Sequence, residues 1–133
     1  MIAGVKEACE AAGVDAEKDI DVVEMHDAFS AEELAAYETL GVCKPGEGIS
    51  KARSGHFEMT GRCPVNPSGG LLSLGHPLGA SGVRVVGDVA KQLWGEFGAN
   101  QVNGAKVGMA QMLGGVLTNI QSPCVAGIQM LIK

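Results

Sequence analysis

The sequence predicts an α/β layered domain, and three features carry that prediction. Two segments repeat apolar residues at gaps of three and four, the spacing of one helix face. A short run rich in β-branched residues lies between them and indicates a buried strand. Strand-like segments close the chain, and strands that alternate with helices before a closing strand pair are typical of this class. The 133 residues, 46% of them hydrophobic, suffice for one domain over residues 1–133.

The first helix is predicted over residues 1–13, with Gly13 as its stop. Its apolar positions form one stripe that comprises Ile2, Val5, Cys9 and Ala12. The segment of residues 20–25 (IDVVEM) is the predicted strand, and the pair His26 and Asp27 lies at its carboxyl end. Ligand sites gather at such strand ends in α/β folds, so the pair is a candidate for function.

The next helix is predicted to begin at Ser30. Ser30 is the expected N-cap residue, and Glu33, three residues later, completes a capping box. Phe29 and Leu34 flank the cap at the positions of a hydrophobic staple. The buried stripe of this helix is expected to comprise Leu34, Tyr37 and Leu40.

The segment of residues 42–65 is polar and rich in Gly, which predicts a surface excursion with one short helix over 48–54. His56 in this segment is expected to be a surface residue. The strongest helical pattern follows and is predicted to end at Gly98. Its apolar positions are Val83, Val86, Ala90, Leu93 and Phe97.

The last two strands are predicted on either side of a glycine turn. Residues 105–109 begin the first of them, Gly114-Gly115 turns the chain, and residues 125–132 form the second.

Charge and composition exclude several classes of partner. The formal net charge is −5 without a basic cluster, which argues against nucleic acid and against binding to an anionic membrane surface. No apolar run is long enough for membrane insertion, and the N-terminus lacks a signal-peptide pattern. The four cysteines have no CxxC spacing, as in a reduced, cytoplasmic protein. The three histidines have no ligand spacing, so no metal site is expected.

The candidate site lies in the loop of residues 66–82, which holds five glycines and two prolines around one histidine. His76 is the only side chain in the second half of this loop that titrates near neutral pH. A Gly before it and a Pro after it fix the backbone and leave room for a ligand. Asn66 and Ser68 are expected to hold the turn by bonding nearby backbone groups.

Three segments resemble the C-terminal half of thiolases, in the same order and over nearly the whole chain: NPSGGLLSLGHPLGASG (66–82), EMHDAFS (24–30) and MAQMLGG (109–115). The HDAF form is similar to the sterol-carrier-protein-x and archaeal acetoacetyl-CoA thiolase branch. The resemblance implies an α/β/α domain with helices on both faces of a mixed sheet. The strand that precedes the first helix in that family is missing here, and we expect a truncated domain.

The resemblance also implies roles for the site residues. His76 corresponds to the base that takes the proton of a nucleophilic cysteine, so that a thiolate attacks an acyl carbonyl. His26 either binds the thioester oxygen in an oxyanion hole or acts as an acid or base, and the sequence leaves both open. Substrate contacts are expected at Asn66, Ser68, Gly75, Gly79, Gln111 and Gly114. Coenzyme A enters as part of the substrate, and no separate cofactor is expected.

The chain departs from the family pattern at several positions. Many sterol-carrier-protein-x thiolases carry at position 28 a cysteine used for proton transfer at the second substrate, and here that residue is Ala28. Gln111 keeps a polar position of the third motif, but Met112 replaces an asparagine. An apparent insertion over residues 119–123 precedes the last strand, and Pro123 indicates a loop or a sheet edge there.

The nucleophilic cysteine of thiolases lies in the N-terminal half, which this chain lacks. None of its four cysteines, Cys124 included, has a matching context. We therefore expect the chain to be inactive in acyl transfer by itself. Its expected partners are an N-terminal thiolase half, an acyl-CoA substrate and a second copy, as a homodimer or higher oligomer.

The expected function is that of an acyl-CoA acyltransferase, of the acetyl-CoA acetyltransferase or 3-ketoacyl-CoA thiolase type. One alternative is a thiolase-like retro-aldolase that acts on CoA esters of steroid side chains, which Ala28 and the altered third motif would suit. Another is a non-catalytic subunit that binds acyl-CoA. The presence of both His26 and His76 argues against this last alternative, because a scaffold needs neither.

Overall fold

The computed structural model describes residues 1–116 and 123–133, and it contains a mixed sheet of three strands. Strand β1 (Val22–Glu24) pairs in parallel with β2 (Val107–Val116), and β2 pairs antiparallel with β3 (Pro123–Ile132). Val65 adds one parallel bridge to β1 at Val23. The predicted α/β class and the mixed sheet are confirmed.

Six α-helices accompany these strands in the described residues: α1 (Ile2–Ala12), α2 (Ala16–Asp19), α3 (Ser30–Thr39), α4 (Gly48–Arg53), α5 (Gly70–Leu74) and α6 (Leu78–Trp94). Helix α1 ends at Gly13 in the left-handed region, as predicted. None of these helices combines the length and the hydropathy that a membrane span requires.

Helices cover both faces of the sheet. Val5 and Cys9 of α1 share a buried cluster with Met109 of β2. Val85 of α6 belongs to a second cluster with Ala110, the next residue of the same strand. Because successive strand residues point to opposite faces, α1 and α6 lie on opposite sides of β2. The predicted α/β/α layering is therefore confirmed.

The start of α3 differs from the prediction. Phe29, in an extended conformation, occupies the N-cap position without a side-chain hydrogen bond, and Ser30 is already helical. The Glu33 carboxylate accepts a hydrogen bond from Tyr37 Oη at 2.8 Å and so reaches forward along the helix instead of back to the cap. Phe29 is 72% exposed and Leu34 is 44% exposed. The capping box, the staple and the burial of Leu34 were wrong.

The segment of residues 42–65 contains the predicted short helix, but it is more than a surface excursion. Its buried apolar residues join the core on the α1 side: Val42, Cys43, Phe57, Cys63 and Val65. The Phe57 ring stacks on Tyr37 with centroids 3.9 Å apart. His56, predicted as a surface residue, is half-buried and packs edge-on against Phe57. These residues have no periodic spacing, so the pattern of the sequence did not reveal them.

Helix α6 ends three residues earlier than predicted, because Gly95 adopts the left-handed conformation with φ 82°. Its buried face is also different and comprises Ser81, Val85, Val89, Gln92 and Leu93. Gln92 is buried because its amide bonds the backbone of Asn100 and Val102. The predicted apolar stripe lies largely outside this face, and Val83 is 77% exposed.

The end of the sheet corrects one more prediction. Gly114-Gly115 lies inside β2, where Gly114 pairs with Val125, and does not turn the chain. The predicted last strand is present as β3. Most of the apparent insertion lies outside the described residues. Pro123 is the first residue of β3, a position where the missing backbone N–H is tolerated.

Candidate active site

Strand β1 carries His26 to the carboxyl edge of the sheet, and the loop before α6 brings His76 to the same place. The two imidazole rings meet edge to face, with centroids 5.0 Å apart and an interplanar angle of 83°. The His26 backbone N–H donates to Gln111, to its carbonyl oxygen and to its side-chain Oε1, each at 3.0 Å. The fold thus brings together the two residues that the sequence singled out for catalysis.

The His76 ring is held in one tautomer by Ser81, a buried residue in the first turn of α6. His76 Nδ1 lies 2.8 Å from Ser81 Oγ, and this oxygen lies 3.1 Å from the Pro77 carbonyl. A carbonyl only accepts, so the hydroxyl proton points to Pro77 and the hydroxyl accepts the His76 Nδ1–H. His76 Nε2 therefore carries the lone pair of the neutral ring, as a base requires.

The His26 ring is held by a carboxylate. Its Nδ1 lies 2.8 Å from Glu32 Oε1, in the first turn of α3, and the two side chains are 12% and 22% exposed. An ionised carboxylate only accepts, so Nδ1 carries a proton. Sequence reasoning missed both Glu32 and Ser81. The only available signal was their place in the first turn of the helix that follows each histidine.

Buried acidic groups fix the loop that leads to His76. The fully buried Glu24 carboxylate accepts from Ser68 Oγ at 2.6 Å and from Ser68 N at 3.0 Å. Burial raises the pKa of Glu24 to about 7, although the Ser68 hydrogen bonds oppose that rise. Asp27 is also buried, and its carboxylate accepts from Leu71 N at 2.6 Å. Asp27 thereby anchors α5, which precedes the His76 loop.

The predicted substrate contacts fall into two groups, and the first is made of structural supports. Asn66 has φ 50°, and its Oδ1 accepts from Met25 N at 2.8 Å. Ser68 Oγ accepts from Gly70 N while it donates to Glu24. Gln111 is 1% exposed, and its side-chain Oε1 accepts a hydrogen bond from the backbone N–H of His26. Asn66 and Ser68 thus hold the turn as expected, while contact of any of the three with substrate stays a prediction.

The second group consists of glycines beside open space. A Cβ added at Gly75, Gly79 or Gly114 would have no heavy atom within 4 Å, apart from those of its chain neighbours and of its own helix turn. Gly79 and Gly114 line an open groove of about 580 Å³ between the start of α6 and the strands β2 and β3. Substrate contact at these positions also stays a prediction.

The described cysteines are unsuited to nucleophilic attack. Cys9, Cys43 and Cys63 are buried, and this burial raises the pKa of each thiol, that of Cys63 to about 12. A thiol with a raised pKa is rarely a thiolate at neutral pH. Among the side chains that the structure describes, no three acidic, Cys or His residues converge as metal ligands.

The α/β/α fold and the histidine pair at the sheet edge define a thiolase-like C-terminal domain. Residues 2–125 match the family model described as thiolase C-terminal domain-like, and the chain belongs to this family. The resemblance read from the three sequence motifs is confirmed.

Several curated proteins are similar to this chain. Sterol carrier protein 2 of Oryctolagus cuniculus is 50% identical over 96 residues, 72% of this chain and 18% of that protein. An acetyl-CoA acetyltransferase of Methanothermobacter thermautotrophicus is 48% identical over 97 residues, 73% of this chain and 25% of that protein. Benzoylsuccinyl-CoA thiolase subunit BbsB of Thauera aromatica is 42% identical over 99 residues, 74% of this chain and 26% of that protein. The chain thus spans 18% to 26% of the length of these relatives.

A solved structure supports the fold. The structure titled "Ltp2-ChsH2(DUF35) aldolase" superposes with a TM-score of 0.78, over 98% of this chain and 31% of that chain. At 22% identity, this likeness shows the fold alone.

Proposed function

We propose that this chain supplies the histidine side of a thiolase-like acyl-CoA active site, and that an N-terminal thiolase half supplies the nucleophilic cysteine. The observation that carries the proposal is the His26–His76 pair, in ring contact at the carboxyl edge of the sheet. Each ring has its Nδ1 occupied, by Glu32 and by Ser81. Both Nε2 atoms are therefore the free, chemically useful positions of the pair.

His76 acts as the base in this mechanism. Its Nε2 takes the thiol proton of the cysteine, and the resulting thiolate attacks the acyl-CoA carbonyl. Negative charge develops on the thioester oxygen, and His26 stabilises that charge from the neighbouring ring. The carbonyl then reforms as the CoA thiolate leaves, which produces an acyl-cysteine.

An exposed apolar surface supports the presence of an N-terminal half. Val83 and Trp94 of α6 are 77% and 65% exposed, on the face opposite to the one that packs on the sheet. Leu78, at the start of the same helix, is 82% exposed. A helix that is apolar on both sides is normally buried on both sides. The groove beside Gly79 and Gly114 is continuous with this surface through Leu78 and Val83. We propose that the N-terminal half, or a second copy in a dimer, covers it.

A retro-aldolase is the second candidate, and two residues favour it. Ala28 has no proton to transfer, and Met112 packs with the cluster of Val85 and Ala110 where it offers no hydrogen bond to a substrate. An aldolase needs no acyl-cysteine, so both residues would be compatible with cleavage of a CoA ester that bears a β-hydroxyl group.

The test uses the longer polypeptide that we propose, with both halves present. We expect acetyl-CoA and acetoacetyl-CoA to give CoA release and an acyl adduct by intact mass. His76→Ala should abolish both, while His56→Gln, a histidine outside the pair, should retain them. A parent protein with neither adduct nor turnover would overturn the acyltransferase proposal, and steroid side-chain CoA esters would then test the aldolase.

A further inference from the structure

We propose that Glu32 is a positioning residue that makes His26 the second proton-transfer group of this site, a task for which position 28 offers only an alanine. This inference rests on the proposed acyl-CoA chemistry. It follows from the contact of 2.8 Å between Glu32 Oε1 and His26 Nδ1, at the edge of the imidazole remote from the free Nε2.

The carboxylate restricts what His26 can donate. A neutral imidazole that donates from Nε2 leaves a lone pair on Nδ1, and that lone pair would face the acceptor oxygen of Glu32. The neutral ring therefore keeps its proton on Nδ1. His26 donates from Nε2 only as an imidazolium, whose charge the Glu32 carboxylate balances at hydrogen-bond distance. A donor of this kind is also an acid, because it can release the proton that it offers.

Among the residues that the structure describes, Glu32 is the charged side chain in hydrogen-bond contact with the His26 ring. Gln111 of β2 is uncharged and bonds only the backbone N–H of His26. The neighbouring Asp27 carboxylate is directed to Leu71 N. The His76 ring packs edge to face against the His26 ring, and its own Nδ1 is hydrogen-bonded to Ser81 Oγ. The partial burial of both side chains, 12% and 22% exposed, limits screening of the Glu32 charge by water.

The proton count closes over two half-reactions. In the first, the His26 imidazolium donates to the thioester oxygen and then transfers its Nε2 proton to the departing CoA thiolate. In the second, neutral His26 Nε2 takes a proton from the α-carbon of a second acyl-CoA. The C–H electron pair becomes the enolate, which forms the new C–C bond to the acyl-cysteine carbonyl. The cysteine thiolate leaves and takes back the proton that His76 Nε2 has held since the first half-reaction. His26 is again an imidazolium beside Glu32.

The first test follows exchange of the α-protons of acetyl-CoA with D₂O in the two-half protein, which reports enolate formation without C–C bond formation. Glu32→Gln keeps the size and an acceptor oxygen but removes the charge. We expect exchange and kcat to fall about a hundredfold, the range of general acid–base catalysis, with KM within about twofold. The pH–rate profile should also change shape. Glu33→Gln is the matched control, because Glu33 bonds Tyr37 and not the histidine pair, and it should leave these readouts unchanged.

The second test reads the His26 tautomer by ¹⁵N NMR of the imidazole ring in this chain, independently of activity. We expect a protonated Nδ1 at every pH in the wild type, and a share of the Nε2–H tautomer in Glu32→Gln at high pH. Normal exchange in Glu32→Gln, or the same tautomer in both proteins, would overturn the role of Glu32 and leave the proposed function intact. A wild type without adduct or exchange would overturn the proposed function, and the NMR result would still decide whether Glu32 sets the tautomer.

Discussion

The two histidines of the site have the same imidazole ring, but the side chains bound to their Nδ1 atoms differ in charge. His76 rests on the neutral hydroxyl of Ser81, and His26 rests on the carboxylate of Glu32. A neutral acceptor orients a ring without favouring its charged form, whereas a carboxylate also favours the imidazolium. Under the proposed mechanism, this difference suits a base at His76 and a proton donor at His26.

Both supports come from the first turn of the helix that follows the histidine. Short connections place each partner: Glu32 lies in α3 just after β1, and Ser81 lies in α6 just after the His76 loop. The loop that leads to His76 is an element that both histidines share, and Asp27 and Glu24 hold it in place. Changes in this shared element should affect both histidines, while changes in the individual supports should separate them.

Gly70→Ala should have the largest effect, because it breaks the shared element. Gly70 has φ 63°, and an added Cβ would overlap the Asp27 carboxylate that anchors α5. We expect a loss of about 3 kcal/mol in the free energy of unfolding, from backbone strain together with the broken contact. Urea denaturation measures it.

The matched control for that change is Gly79→Ala, inside α6. A Cβ there meets nothing within 4 Å, so alanine should leave stability unchanged or raise it by about 1 kcal/mol through helix propensity. Equal effects of the two substitutions would contradict the role assigned to the Gly70–Asp27 contact.

The second prediction concerns the pH dependence of stability that the titration of Glu24 produces. Burial raises the pKa of Glu24 from 4.5 to about 7. Its contribution to stability is thus fully present below pH 4.5 and is lost as the pH rises to about 7. The loss is at most about 3 to 4 kcal/mol, at about 1.4 kcal/mol per pKa unit. Urea midpoints between pH 4.5 and 7.5 should fall with pH in the wild type.

Glu24→Gln should flatten that decline, since it removes the titrating group and keeps an acceptor for Ser68. Asp88 and Glu33 also have raised pKa values from burial, but they are present in both proteins. The difference between the two pH curves therefore isolates Glu24. Parallel curves would show that Glu24 does not titrate in this range.

The sequence predicted elements whose signal is local. The stop at Gly13, the buried strand near residues 20–25 and the short helix near residue 48 all follow from neighbouring residues. Helix α6 shows the limit of this reasoning. It is apolar on two sides, and periodicity alone does not tell which side faces the sheet. A polar residue, Gln92, is buried on the correct side because the backbone of Asn100 and Val102, just after α6, satisfies its amide.

The candidate site likewise combines residues that the sequence revealed with residues that it did not reveal. His26 and His76 stand in recognisable motifs, and the structure brings them together. Their supports depend on side-chain directions that the tertiary fold decides, so the sequence did not reveal them. The sequence did contain a signal for Glu24, because a buried acid in a β-branched run needs a partner, and Ser68 provides it.

The smallest expected effect, and the sharpest test of the comparison, comes from Ser81→Ala. It removes a neutral acceptor from His76 Nδ1, and a neutral hydrogen bond is worth about 1 kcal/mol. We expect kcat/KM of the two-half protein to fall about fivefold, clearly less than for Glu32→Gln. The shape of the pH–rate profile should stay the same, because no charge is removed. Ser73→Ala, an exposed serine of α5, is the control and should be neutral. A Ser81→Ala profile that changes shape like that of Glu32→Gln would show that the two supports act alike, and the distinction between a neutral and a charged support would fail.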